Sequence, residues 1–416
     1  MSSRVVIIGA GVSGLCSALY ALRSGWEVTV VDRAGSARDG CSFGNAGMVV
    51  PSHFVPLAAP GMVRLGLRWM ADPESPFYIQ PRLDADLLTW AWRFWRAATH
   101  RHVRTRAPVL RDLSLLSRAE FEALAAAGLE FDWVPQGLLM LCRTAKALEE
   151  EAHTAEMARS LNLTAEVLDA DAAARLNPGV TLDIAGAVHY PQDGHLNPAR
   201  FMAELERVLL AGGVRFVHDA EVRDFRTTND RVAALVTSQG EIDADEIVLS
   251  AGVWSDGLSR ALDLRLPMQA GKGYSLTLPH PPQLPRLCAI CTEARLAVTP
   301  MGTTLRVGGT MELAGLDSRI NARRVRGLAR GFCPYFPAFS ESDFADIPPW
   351  SGLRPVSPDG MPYLGRTRRW ANVIVATGHA MMGLSLGPAT GKVVAALLDR
   401  RSPEVALTAL DPDRYA

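Results

Sequence analysis

The chain opens with a continuous apolar run, Arg4 to Ile8, that runs directly into Gly9-Ala-Gly-Val-Ser-Gly14. A helical pattern follows, with Leu15, Ala18, Leu19 and Leu22 on one face, and Gly25 supplies a stop. Glu27 to Val31 reads as a second strand with Asp32 at its end. An uninterrupted apolar strand suits a parallel sheet buried on both faces. In the G-x-G-x-x-G pattern Gly9 permits the tight turn, Gly11 lets the backbone approach a pyrophosphate, and Gly14 lets helix and strand pack closely. The turn containing Val12 leads into a helix whose N-terminus turns its free N–H groups and positive dipole end toward the phosphates. Asp32 is placed to accept the hydroxyls of an unphosphorylated adenosine ribose, with Arg33 beside it. This opening commits the chain to a Rossmann-type α/β unit that binds a dinucleotide, and leaves NAD and FAD both open.

The bulk numbers remove other classes. A formal net charge of -1 over 416 residues gives no broad basic field, so nucleic acid is excluded as a partner. The first apolar stretch carries three glycines and no signal-peptide exit, and no run reaches the roughly 20 apolar residues of a membrane span. The expected location is cytoplasmic. Trp90, Trp92 and Trp95 sit among Arg93, Arg96 and Arg101. That pattern fits either a helix packed on the body or one in peripheral contact with the inner face of a membrane. Six cysteines make no disulfide framework, and the Cys288/Cys291 pair has no second pair to complete a metal site, so no metal is expected.

Texture divides the chain into two interleaved domains. Strand and helix patterns of the nucleotide-binding kind occupy 1–50, 195–262 and 350–416. They include a helix capped by Asn197, a Gly212-Gly213 stop and the strand NVIVAT ending at Thr377. Residues 51–194 and 263–349 read as an α+β substrate domain on a mixed or antiparallel sheet, with helical patterns at Arg111 to Ala127 and Ala145 to Leu161 and alternating strands between 265 and 313. Ligands of such folds lie at the carboxyl ends of the parallel strands.

Three further segments carry chemistry. In Cys41-Ser-Phe-Gly-Asn-Ala-Gly-Met48 small residues flank Asn45, so backbone can lie flat against a planar ligand. In Trp350-Ser-Gly-Leu-Arg-Pro-Val-Ser-Pro-Asp-Gly360, Arg354 is suited to grip a carboxylate with two parallel hydrogen bonds. A structural ion pair is the competing reading. Gly378 to Gly383 precedes a helix, a second place for backbone donors to meet an electron-rich ligand edge.

Together these segments resemble the FAD-dependent D-amino acid oxidase superfamily, which includes glycine oxidase and sarcosine oxidase. The nearest pattern is that of the bacterial D-amino acid dehydrogenases, with the D-hydroxyproline dehydrogenase branch as the narrower match. The shared motifs are Gly9 to Gly14, Ser42 to Gly47, Lys272 to Ser275, Arg306 to Gly309, Trp350 to Gly360 and Thr377 to Gly383. They span nearly the whole chain in the family's order. The resemblance implies non-covalent FAD, since the flavin-attaching cysteine position falls near Gly352 and the histidine-plus-arginine loop of other members is absent. It implies that Gly9, Gly11 and Gly14 hold the pyrophosphate and Asp32 the ribose. Ser42, Asn45, Ala46, Gly47 and Met48 would line the phosphates and flavin, Val222 would meet the adenine, and Ala251, Gly252 and Trp254 the ribityl or pyrophosphate. Gly378, His379, Gly383, Leu384 and Ser385 would face the flavin's pyrimidine edge. Arg354 would bind the substrate carboxylate, with Tyr274 closing that pocket or serving as a sheet residue.

The implied reaction is hydride transfer from the α-carbon of a small D-amino acid to flavin N5. It gives an imino acid that hydrolyses to a 2-oxo acid, or a cyclic imine. It needs alignment and a deprotonated amine and assigns no general base; His53, His195 and His379 are candidates for tuning the amine. His53 and Phe54, with Trp350 and Met381, suggest a compact aromatic pocket suited to D-proline or cis-4-hydroxy-D-proline. The alternatives are a glycine- or sarcosine-type amine oxidase, the flavoprotein subunit of a heteromeric dehydrogenase, and a pyridine-nucleotide oxidoreductase. The electron acceptor is a quinone, oxygen or a protein.

Overall fold

The computed structural model describes residues 3–37, 40–70, 72 and 74–416. The opening strand, Arg4–Ile8, lies inside a six-stranded sheet whose order is Tyr363–Arg366, Val373–Thr377, Glu246–Leu249, Arg4–Ile8, Glu27–Val31, Arg215–Val217. All neighbours are parallel except the first pair. Its strands are apolar throughout because both faces are covered. Val5, Ile7, Val28 and Val30 meet helices, while Val6, Ile8, Val31 and Ile247 meet a three-stranded meander running from Val222 to Asp243. The chain crosses outward in opposite directions from Arg4–Ile8 and Glu246–Leu249, so their carboxyl ends form the switch point.

Two segments depart from the expected division of the chain. Trp350–Val356, placed above with the nucleotide-binding segments, is an edge strand of the other sheet, paired with Gln269–Leu278. The helix His100–Ala126, placed with the substrate domain, buries Leu110, Leu113, Phe121 and Leu124 in the core of the nucleotide-binding domain. Those residues fall at helical spacing on one face, and that face packs against the glycine- and alanine-rich helix Gly387–Leu398. Glu120 holds it there, accepting from Tyr20 Oη at 2.6 Å and from Lys392 Nζ at 2.8 Å.

The second sheet has nine strands, in the order Trp350–Val356, Gln269–Leu278, Thr304–Leu313, Leu296–Met301, Cys288–Cys291, Leu138–Cys142, Gly186–Tyr190, Glu166–Asp169, with Phe77–Ile79 added beside Thr304–Leu313. Its two faces have different jobs. One packs Leu276, Val298, Leu305 and Val307 onto Leu328 and Phe332 of a covering helix, Ala322–Phe332. The other adjoins Met48, Val50 and Phe54 just beyond the Asn45 loop. Cys288 and Cys291 project to opposite faces, one into each cluster, so they cannot share a ligand. No group of metal-ligating side chains occurs among the described residues, and none of their helices is long and apolar enough to cross a membrane.

Candidate active site

The glycine turn is built as the motif requires. Gly9 has φ +106°, and a Cβ there would meet the Ser250 carbonyl at 2.6 Å. A Cβ on Gly14 would stand 1.8 Å from the Gly9 carbonyl oxygen, so only glycine lets this helix start so close to its strand. Gly11 differs: a Cβ there would make only ordinary contact, at 3.5 Å, with Ser42 Oγ. Its backbone is open toward the space above the turn, as close approach of a ligand demands. Val12 N–H donates to Ser42 Oγ at 3.0 Å, which ties the Cys41–Met48 loop to the helix N-terminus. Asp32 accepts from the backbone N–H of Ala10 at 2.6 Å and of Ala34 at 2.8 Å. Each carboxylate oxygen keeps a further lone pair for a ribose hydroxyl. Arg33 stacks on Trp254, its guanidinium carbon 3.6 Å from the ring centre, joining the ends of the second strand and the Ala251–Trp254 turn. Val222 starts the meander, two residues beyond Ala220, whose N–H bonds the Asp32 carbonyl.

The loop bearing Asn45 is held from three sides. Asn45 Oδ1 accepts from Gly47 N–H at 2.9 Å, and Gly47 sits at φ +76° against the Leu196 carbonyl. Met48 pairs with His195 in a two-residue ribbon. Val50 N–H donates to Ser385 Oγ at 3.0 Å, bringing the loop beside the turn Gly383-Leu384-Ser385. The N–H groups of those three residues donate to no backbone carbonyl among the described residues, and Leu384 and Ser385 are buried. Buried free donors at the mouth of the Gly387–Leu398 helix fit an electron-rich ligand edge. The residues present therefore fit a dinucleotide lying along the glycine turn.

Antiparallel pairing decides which side chains of that sheet look toward the loop. Gly271 faces Arg354, Gly273 faces Gly352 and Ser275 faces Trp350 across one strand pair, so all six share a face. Arg354 lies over Gly273, where a Cβ would come within 2.2 Å of Nη2. Trp350 lies between Gly44 and Gly352, each of which would clash with its indole at 2.1 Å if it carried a Cβ. Arg354 Nη1 donates to the Thr310 carbonyl at 2.6 Å. It has no carboxylate partner among the described residues, so the structural ion pair weighed above is not formed. Burial pulls its pKa down, with the neighbouring Cys41 thiol opposing the shift. A partly buried guanidinium with one fixed arm and no counter-ion is suited to receive a carboxylate.

Tyr274 falls on the other face. Its hydroxyl donates to Glu312 Oε2 at 2.8 Å and accepts from Asn321 N–H, in a buried group with Lys272, whose Nζ lies 3.6 Å from Glu312. The alternation of the strand turns it away from Arg354 and into the core beneath the Ala322–Phe332 helix. It is the sheet residue of the two readings and does not close the carboxylate pocket. His379 is also committed elsewhere: its Nε2 lies 2.9 Å from Thr390 Oγ1, while its backbone bridges to Val356, two residues from Arg354. Burial lowers His379 and His195 to about 4, and burial together with Arg295 lowers His53 to about 4. All three rings are neutral at neutral pH. Phe54 is fully buried in the adjoining cluster and Met381 is exposed, whereas Trp350 shares the sheet face of Arg354.

Three residues outside the expected set take part. Arg306, named only within the Arg306 to Gly309 motif, donates through Nη1 to the carbonyls of Phe43 and Asn45, at 3.2 and 2.8 Å, and fastens the loop to the sheet. Thr310 has φ +66°, a strained conformation for a β-branched residue, at the bulge where the strand register shifts. Asp193 accepts from both the backbone N–H and the hydroxyl of Ser52, beside His53, and burial raises it to about 7. Only the Arg306 motif signalled itself in the sequence.

A family model described as FAD dependent oxidoreductase, DAO, matches residues 4–397. The chain belongs to this family. Members of the FAD-dependent family similar to it include a protein of Granulibacter bethesdensis named D-amino acid dehydrogenase, 33% identical with 99% of this chain and 100% of the relative covered. Among solved structures, glycine oxidase from Geobacillus kaustophilus superposes with a TM-score of 0.79 at 23% identity, covering 100% of both chains. L-proline dehydrogenase from P. horikoshii superposes with a TM-score of 0.76 at 17% identity, covering 100% of this chain and 98% of that one. At those identities the superpositions establish the shared fold. The cofactor of this FAD-dependent oxidoreductase is FAD, and the NAD alternative falls away.

Proposed function

We propose that this chain oxidises a small D-amino acid, and that Arg354 binds the substrate carboxylate. The observation that carries the reading is the unpaired Arg354 guanidinium, laid over Gly273 and anchored to the Thr310 carbonyl, on the sheet face turned toward the Asn45 loop. When bound, FAD supplies the acceptor for a hydride from the substrate α-carbon. The protein's own part is orientation. Two free arms of Arg354 fix the carboxylate, Trp350 walls the site and excludes water, and Arg306 holds the loop at its distance from the sheet. The N–H groups of Gly383 to Ser385 favour negative charge on the ligand edge they face. The product is an imino acid, hydrolysed to a 2-oxo acid and ammonia, or a cyclic imine where the substrate is a ring.

The D configuration is supported by the whole-length relatives at 31–34% identity, which carry the name D-amino acid dehydrogenase. Within that class D-proline or cis-4-hydroxy-D-proline is the narrower reading, supported by the flat Trp350 wall over Gly44 and Gly352. The name shared by those relatives also supports an acceptor other than oxygen, a quinone or a protein, and the reading carries with it a cytoplasmic enzyme.

Anaerobic mixing of the purified holoprotein with D- and L-amino acids, glycine, sarcosine and both prolines with their 4-hydroxy forms tests this through loss of flavin absorbance. Bleaching by D-amino acids is expected, most rapidly by the cyclic ones. Bleaching by glycine and sarcosine alone makes the protein an amine oxidase of that type. Bleaching only after a second protein is added makes it a subunit of a larger dehydrogenase.

A further inference from the structure

The turn Ser357-Pro-Asp-Gly360 joins the strand that carries Arg354 to Tyr363–Arg366, the antiparallel edge of the nucleotide-binding sheet. Here the chain crosses from the sheet that presents the arginine to the sheet that carries the glycine turn. Slack at such a crossing would change the distance between the two halves of a site. Contacts from several elements take up that slack. Val356 bridges to the backbone of His379, at the head of the turn that leads to Gly383, and its carbonyl accepts from Trp90 Nε1 at 2.9 Å. The Asp359 carbonyl lies 2.9 Å from His102 Nε2. Gly360, at φ +73°, packs so closely on the loop after Phe54 that a Cβ there would stand 2.7 Å from the Leu57 nitrogen.

The Asp359 carboxylate is the centre of this junction, and its partner comes from far along the chain. Arg414 Nε donates to Asp359 Oδ2 at 2.7 Å and Arg414 Nη2 to Oδ1 at 3.0 Å, a bidentate pair whose side chains are only 11% and 10% exposed. Nη2 also donates to the Met361 carbonyl at 2.7 Å, and Nη1 to the Asp411 carbonyl at 3.0 Å. The guanidinium carbon stands 3.9 Å from the centre of the Tyr363 ring. Tyr415 meets that ring at a steep angle, 6.3 Å between centres, and Arg93 covers Tyr415 in turn. Burial pushes the Asp359 carboxyl up, but the Arg414 guanidinium outweighs it and holds the group below the usual carboxylate range. Arg354 is the contrast, with one arm anchored and no carboxylate. Every guanidinium nitrogen of Arg414 is engaged within the protein, which suits a brace and not a binding group.

We propose that Arg414 is a positioning residue for the oxidation: through Asp359 it fixes the crossing between the two sheets, and so holds Arg354 in register with the turn Gly383-Leu384-Ser385. Its donors are committed to the protein, so it acts through Asp359 and not on the substrate. The inference rests on the reading of Arg354 as the carboxylate group given above. It divides the work of the site in two. The grip of Arg354 is set locally, by Gly273 beneath it and the Thr310 carbonyl beside it, whereas its alignment is set at the crossing. Loosening the crossing should slow hydride transfer and leave carboxylate affinity in place.

The test is Arg414→Lys, which keeps the charge but not the fork, beside Arg414→Gln, Asp359→Asn and the double variant Arg414→Gln with Asp359→Asn. Holoprotein is mixed anaerobically with whichever amino acid bleaches the parent, and rates are taken per bound flavin. The limiting rate of bleaching should fall about tenfold in Arg414→Gln and less in Arg414→Lys, while benzoate affinity stays within about twofold of the parent. The double variant should be no slower than the slower single one. Should Arg414→Gln fail to fold, Arg414→Lys carries the comparison. An unchanged limiting rate overturns the proposal, as does an additive double variant, which would separate Arg414 from Asp359. A fall in rate matched by an equal fall in benzoate affinity makes Arg414 a stabilising residue alone and also overturns it. If no amino acid bleaches the parent, the substrate reading has failed, and the crossing is judged by hydrogen exchange. In Arg414→Lys the amides of 356–361 and 378–383 should exchange faster while those of Arg4–Ile8 keep the parent's protection, and unchanged exchange overturns the proposal.

Discussion

Gly273→Ala probes the proposed carboxylate clamp without touching Arg354 itself. A Cβ on Gly273 would stand 2.2 Å from Arg354 Nη2 and 2.4 Å from Cζ and Nη1. Ordinary contact is about 3.5 Å, so the guanidinium fork must retreat by roughly 1.3 Å. The atoms in the way are the far end of a flexible side chain, and Gly273 has no positive φ, so the fold tolerates the methyl. Stability should change by no more than about 1 kcal/mol. Binding should not be so forgiving. A hydrogen bond to a charged group contributes about 1.5–3 kcal/mol, and a displaced fork loses at least one of its two bonds to the carboxylate. Carboxylate affinity should therefore fall roughly 10- to 100-fold. The assay is titration of the yellow holoprotein with benzoate, read from the flavin absorbance, alongside KM for whichever amino acid bleaches the parent. A folded, flavin-bearing Gly273→Ala protein with unchanged benzoate affinity and unchanged KM would refute Arg354 as the clamp.

The opposite result is expected of Tyr274→Phe. It removes a buried bond to Glu312 on the far face, so the denaturant midpoint should fall by the equivalent of about 1–2 kcal/mol while benzoate affinity stays put. Weakened benzoate binding would mean that Tyr274 reaches the pocket. Asp193 is raised to about 7 by burial, above its unfolded value. Its contribution to stability is thus present in acid and lost as pH climbs through about 7. Asp193→Asn should melt with the parent near about pH 4 and increasingly above it up to about pH 7; parallel melting curves across that range would show that Asp193 is not protonated in the fold. Gly14→Ala drives a Cβ to 1.8 Å from the Gly9 carbonyl, a backbone collision with no flexible atom to yield. The purified protein should carry little or no flavin by its absorbance ratio, and normal flavin content would refute the close-packing role of Gly14.

What the sequence made legible was local chemistry, and what it hid was pairing. Gly9, Gly11, Gly14 and Asp32 lie within two dozen residues, and each acts through its own backbone or the next strand. Strand, turn and helix could therefore be read in order. Arg354 was legible as a cation in an apolar setting. Its freedom from any ion pair was not, because a partner could have come from anywhere in the chain. Tyr274 shows the limit most clearly. Its strand was recognised, but the face it occupies depends on Gly271 standing opposite Arg354, some 80 residues on, and a shift of one residue would have reversed the answer. The Trp350–Val356 strand was misplaced for the same reason: its motif neighbours in sequence belong to the nucleotide-binding sheet, whereas its hydrogen bonds go to the other. Thr310 gave no signal at all, since no composition rule calls for threonine at a positive φ.

That strain has a consequence for the site as a whole. A threonine in the left-handed region costs on the order of 1–3 kcal/mol, and an unpaired, partly buried guanidinium is a second unfavourable element a few ångströms away. Both converge on one contact, the Thr310 carbonyl at 2.6 Å from Arg354 Nη1. A regular strand would direct that carbonyl into the ladder with its neighbour; the bulge frees it to hold one arm of the fork. On the reverse face Glu312, two residues on, is tied to Tyr274 and Lys272, so the bulge is braced from behind by a buried polar group. The two faces of the sheet thus do complementary work. One presents a cation with two free arms at a cost in stability, and the other braces the strand that carries it, as the carboxylate site proposed above requires.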